Sequence, residues 1–114
     1  MDKKEIARVV NLEVSDFEHE LHHPGIVLLD VRTQEEYSEG HIRGSVNIDV
    51  ESPDFLERVQ GLYHEKCIIG VYCRSGRRSL EAANQLSRQG YSVYNLSGGI
   101  LSWLSEDRET TCDQ

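Results

Sequence analysis

The chain has 114 residues, 38% of them apolar, with 20 Asp and Glu against 12 Lys and Arg, for a formal net charge of −8. This length supports one domain around a single core, the apolar share excludes extensive disorder, and the acid excess argues against nucleic acid or an anionic membrane as partner. The opening stretch MDKKEIARVV has charges but no apolar h-region, and no later run is long enough to span a bilayer; neither a signal peptide nor a membrane span is expected, and a cytoplasmic location is the default.

In chain order, apolar runs alternate with helix-start signals. ARVVNLEV contains a short apolar run and reads as a strand. Ser15 then opens a capping box with Glu18, and Phe17 and Leu21 stand four apart behind it, so a helix follows. His23-Pro24-Gly25 breaks that helix. IVLL, residues 26 to 29, is continuous and branched, as a buried parallel strand should be. Thr33 and Glu36 form a second capping box, with Gly40 as a stop. SVNI is a short strand, and Ser52-Pro53 marks another helix start, with Phe55, Leu56, Val59, Leu62 and Tyr63 on one face.

CIIGVY, residues 67 to 72, is the second continuous apolar run. After CRSGRR, the residues Leu80, Ala83 and Leu86 recur at helical spacing, and Gly90 ends the segment. YSVYNL is the last strand. Gly98-Gly99 turn the chain into a short helix with Ile100, Trp103 and Leu104. Residues 1 to 106 read as one domain, and the polar residues 107 to 114 are expected to fray. Repeated strand–helix alternation predicts an α/β domain with a mainly parallel sheet. In such sheets, sites form beyond the carboxyl ends of strands. Asp30 ends one buried run, and Cys73 follows the other.

Three cysteines, Cys67, Cys73 and Cys112, do not make a disulfide framework. An intact strand between Cys67 and Cys73 would hold them roughly 20 Å apart, too far to bridge. No CxxC occurs, and neither a metal nor a cofactor is expected. His19, His22 and His23 fall at helical spacing without a completing ligand, and read as an exposed polar face.

In VYCRSGRRSL, residues 71 to 80, Arg74, Arg77 and Arg78 crowd around Cys73 in an otherwise acidic chain. Gly76 gives the loop the freedom to converge its amides into an anion-binding nest, and the following helix adds partial positive charge. These features favour a thiolate, whose pKa in such surroundings falls from about 8.5 to roughly 3.5–7.5. Cysteine is often simply a small buried hydrophobe. That reading suits Cys67 at the head of an apolar run, but suits Cys73 poorly among arginines and serines.

LLDVRTQEEYSEGHIRGSVNI, VYCRSGRRS and LSGGILSW together resemble the rhodanese homology domain, in order and spacing, from residue 26 to residue 103. The resemblance implies a three-layer domain with a central five-stranded parallel sheet flanked by helices. It implies a single-domain, thiosulfate sulfurtransferase-like enzyme in which Cys73 carries a sulfane sulfur as a persulfide. A small anionic donor would supply the sulfur, and cyanide or a cellular thiol would accept it. The loop amides of Arg74, Ser75, Gly76, Arg77, Arg78 and Ser79 would cradle the outer sulfur, with the helix beginning at Ser79. Asp30 resembles the family's acid at a strand end, with Arg43 or Arg74 as its partner.

Two other readings stand beside this one. Phosphatases and arsenate reductases of the same fold have a Cys-x5-Arg loop, but the sixth place after Cys73 is Ser79, and Arg78 comes one place early. Alternatively, the domain serves a partner protein, as a binding module or as a persulfide relay fed by a desulfurase. Among the remaining residues, Arg32 and Glu36 stand four apart and read as a structural pair, and His41 reads as a turn-stabilising residue.

Overall fold

The structure, a computed structural model, describes residues 8 to 113. The first seven residues of the expected domain, and Gln114 at the end of the expected tail, lie outside the described residues. The order of elements is β1 (Val9–Leu12), α1 (Val14–Glu20), β2 (Ile26–Asp30), α2 (Gln34–Glu39), β3 (Val46–Asn47), α3 (Phe55–Leu62), β4 (Ile68–Tyr72), α4 (Arg77–Arg88), β5 (Ser92–Leu96) and α5 (Gly99–Ser105). The five strands form one parallel sheet in the order β1-β5-β4-β2-β3. The continuous apolar runs of β2 and β4 lie side by side, as strands buried on both faces should.

Strand alternation divides the core in two. On one face, Leu29, Ile69, Val71 and Val93 pack against Phe55 and Val59 of α3 and against Ala82, Ala83 and Leu86 of α4. On the other, Leu28, Tyr72 and Leu96 meet Val14 and Phe17 of α1 and Ile100 and Trp103 of α5. The expected three layers are therefore present. No helix among the described residues is long and apolar enough to cross a membrane.

Several local expectations are corrected. Helix α1 starts at Val14 with Glu13 as N-cap and no side-chain cap, so Ser15 and Glu18 do not form a capping box. Val14 is buried in the core, and Glu18 instead accepts from Arg108 at 3.0 Å. Packing of the apolar face sets the start, as is common where caps compete with burial. Ser52-Pro53 first closes a turn, and α3 begins later, at Phe55. Leu62 and Leu80, assigned to apolar faces, are exposed, while Ala82 joins Ala83 and Leu86 inside.

The segment after α5 is docked where fraying was expected. The Trp103 indole donates to the Glu109 carbonyl at 2.9 Å, and His41 and Thr111 exchange backbone hydrogen bonds in an antiparallel bridge. The Thr33–Glu36 capping box is complete, with both reciprocal bonds made. His41 stabilises its turn, stacking on Tyr37 at 3.7 Å between ring centroids while Nδ1 meets the Tyr37 carbonyl at 2.8 Å.

Candidate active site

The carboxyl ends of β2 and β4 adjoin, with Asp30 registered opposite Tyr72. Cys73 follows Tyr72 directly and is 1% exposed. The chain then turns through Arg74 and Ser75 to Gly76, which caps α4 at φ 100°. At that φ an L side chain is strained, so the turn demands glycine. The cradle is therefore tighter than six residues: α4 begins at Arg77, and Arg77, Arg78 and Ser79 form its first turn. The sequence marks this start weakly, because the cap is a glycine and offers no side-chain acceptor.

The first amides of a helix have no intrahelical partner. Here one of them, the Ser79 amide, converges with loop amides on the sulfur. The Gly76 amide donates to Cys73 Sγ at 3.1 Å. Burial pushes the Cys73 thiol up, but the Ser79 hydroxyl and the amides of Ser79, Gly76 and Ser75 pull it down further. The net position is below that of an ordinary thiol. Ser79 is fully buried, and its Oγ has no partner of full hydrogen-bond geometry among the described residues. Its effect on the sulfur is therefore that of a close dipole with a proton to donate, rather than of a bond already made.

A second loop braces the first. The Ile100 amide donates to the Cys73 carbonyl at 2.9 Å and the Leu101 amide to the Arg74 carbonyl at 3.2 Å. With these carbonyls held by the start of α5, the amides of the cradle are left to face the sulfur. The approach is so close that a Cβ on Gly99 would lie 2.4 Å from the Arg74 carbonyl oxygen. Gly98-Gly99 was expected only as a tight turn; it also backs the cysteine loop. The paired glycines were visible in the sequence, but their neighbour across the sheet was not.

The charged residues divide sharply. Arg78 is not open to solvent as a free cation: Nη1 and Nη2 donate to the two oxygens of Glu36 at 2.8 and 3.0 Å. Arg74 and Arg77 are exposed and make no ion pair among the described residues. Asp30 is fully buried and pairs with Arg32, whose Nε and Nη2 reach it at 2.9 and 2.6 Å. The expected partners of Asp30, Arg43 and Arg74, do not hold it. Arg43 is a surface residue, 3.8 Å from Asp113. The expected Arg32–Glu36 pair is likewise replaced by Arg32–Asp30 and Arg78–Glu36. Arg32 precedes the helix cap, at a bend just after β2, where its own amide also donates to Asp30 Oδ1 at 3.0 Å and turns the side chain back onto that acid.

Arg32 also donates to the Gly40 carbonyl at 2.7 Å and lies over the Tyr72 ring. The Tyr72 hydroxyl accepts from the Ile42 amide at 3.0 Å and meets Ser45 Oγ at 3.0 Å. Burial pushes this hydroxyl well above the usual tyrosine range. The network is a closed polar wall beside the cysteine loop. Beyond that wall, a cavity of about 280 Å³ is lined by Arg32, Glu36, Glu39, Arg74, Leu101 and Leu104, among others.

Comparison with known proteins shows the family and the fold. The model of the rhodanese-like domain matches residues 13–106. Thiosulfate sulfurtransferase 16, a chloroplastic protein of Arabidopsis thaliana, is 37% identical over 102 residues, covering 81% of this chain and 85% of its own. The putative sulfurtransferase YtwF of Bacillus subtilis is 33% identical over 108 residues, covering 95% and 97%. The crystal structure of a rhodanese-related protein from Thermoplasma volcanium aligns with a TM-score of 0.78 at 26% identity, over 91% of this chain and 99% of its own.

Proposed function

The chain belongs to the rhodanese-like domain family, and from that premise we propose that it is a sulfurtransferase with Cys73 as nucleophile and sulfur carrier. The observation that carries this reading is the convergence of amides and the Ser79 hydroxyl on a buried thiol whose pKa lies below the ordinary value. A thiolate is the nucleophilic form of cysteine. Attack on the outer sulfur of a thiosulfate-like donor forms the Cys73 S–S bond and breaks the donor's S–S bond, and the electron pair leaves with sulfite. The product, Cys73–S–S⁻, carries its charge on the outer sulfur.

The loop suits that product. An S–S bond of about 2.05 Å carries the charge outward from Sγ into the ring of amides. Fixed donors placed where charge develops lower the barrier without reorganising. Arg74 in the loop and Arg77 at the start of α4, both exposed, attract the anionic donor. A thiol or cyanide then attacks the outer sulfur, and Cys73 leaves as thiolate. Splitting the transfer into two displacements is ordinary covalent catalysis. The phosphatase reading gains no support from the site, since the buried Ser79 stands where that loop has its arginine.

Intact-mass analysis after thiosulfate treatment tests the proposal. The protein should gain one sulfur atom, a cyanide chase should remove it as thiocyanate, and Cys73→Ala should gain none. A gain that persists in Cys73→Ala would show the assignment to be wrong.

A further inference from the structure

Glu36 is a heavily committed carboxylate near the cysteine loop, joining two helices. One oxygen accepts from the Thr33 amide at 3.0 Å, completing the cap of α2. The same oxygen and its twin take both terminal nitrogens of Arg78, from 42 positions further along the chain. Arg78 is in the first turn of α4, one residue before Ser79, and its charge interacts directly with Cys73. The carboxylate thus offsets, by a fork-to-fork contact, part of a positive charge that would otherwise act more strongly on the sulfur.

We propose that Glu36 is a positioning residue that acts through Arg78: it withholds one arginine's charge from Cys73 and so sets how strongly the thiolate is stabilised and how tightly anions are held. This rests on Cys73 being the reacting thiol. Of the three arginines around the cysteine, only Arg74 and Arg77 remain available to a donor. The other charges bearing on the pair and the sulfur are Glu51, which acts on Arg78 from the segment before α3, and the closed Asp30–Arg32 pair. Glu36 itself does not titrate in the range where thiols do. The Arg78 hydrogen bonds, opposed by burial and helped by Thr33, bring its pKa down to about 2. A pH profile between 4 and 10, roughly the range bracketing ordinary thiols, therefore reports Cys73 and not Glu36.

Glu36→Gln separates the electrostatic role from the structural one. Glutamine keeps the acceptor that a capping box needs, so α2 retains its start while the charge is removed. The probe is iodoacetamide, with modification read at Cys73 itself by peptide mass so that Cys67 and Cys112 do not confuse the result. The midpoint of the rate–pH profile should fall by about half a unit in Glu36→Gln, as expected for an added uncompensated charge in a partly solvated site. The KM for thiosulfate should fall with it. Arg78→Ala should move the midpoint up, and Glu36→Gln should have no further effect in the Arg78→Ala background.

An unchanged or raised midpoint in a folded Glu36→Gln protein overturns the inference. So does a shift that persists without Arg78. Wild-type protein that alkylates at Cys73 but never gains sulfur would instead count against the sulfurtransferase reading, and leave the coupling measurable.

Discussion

The ends of β2 and β4 are neighbours in the sheet, yet they solve opposite problems. At β2, every strong charge is answered: Asp30 and Arg32 pair through two nitrogens, and Asn47 donates to the carbonyls of Asp30 and Arg32. At β4, the donors outnumber the acceptors. Amides from the loop and the start of α4 face one sulfur, and Ser79 Oγ awaits a partner. The difference teaches where reactivity is placed. A closed network holds the wall still, and beside it an unsatisfied set of donors favours whatever anion forms there.

The comparison is best broken at Asp30. Asp30→Ala leaves the Arg32 guanidinium buried without its counter-ion, which should cost about 3–5 kcal/mol. Chemical denaturation should show this as a lower midpoint with unchanged slope. Gly99→Ala attacks the other side. Its Cβ would press on the Arg74 carbonyl in a backbone at φ 61°, and should destabilise by about 2 kcal/mol. It should also slow Cys73 alkylation, since the loop must move.

Ser79→Ala sharpens the contrast with little loss of stability, because the hydroxyl it removes is unpartnered. Without that donor the Cys73 thiol should rise, since the Ser79 hydroxyl is one of the groups that lower it. The sign follows from the reactive species. Below both midpoints the wild type holds more thiolate and reacts faster, and above both the two rates converge. A pH profile of alkylation checks this. Linkage runs the same way for stability: the contribution of the Cys73 thiolate is present above the ordinary thiol pKa and is lost as pH falls through the lowered one. The smallest effect belongs to Arg43, exposed and 3.8 Å from Asp113. Arg43→Ala should leave melting temperature and thiosulfate KM unchanged, since exposed pairs contribute little.

Much of this was legible in the residues. The branched runs before Asp30 and Cys73 lie side by side as inner strands, because strands buried on both faces must be apolar throughout. Thr33 and Glu36 cap α2 as their spacing requires, and His41 closes its turn through local bonds. The errors share a cause. Ser15 has the pattern of a cap, yet Val14 is drawn into the core and the helix starts earlier. Arg32 and Glu36 have helical spacing, yet Arg32 precedes the helix. Leu80 keeps helical rhythm with Ala83 and Leu86, yet it lies at the edge of the buried face.

By itself, the sequence determined the alternation of elements and the strand-to-helix loop with its cysteine, because these depend on propensity, periodicity and chain direction over a few residues. Only the tertiary structure decided which arginine was spent on which acid. It alone brought Glu36 to Arg78 and Gly99 against the carbonyl of Arg74. Those contacts join segments far apart in the chain, and their choice among several possible partners is made by the packing of the sheet, which no local pattern records.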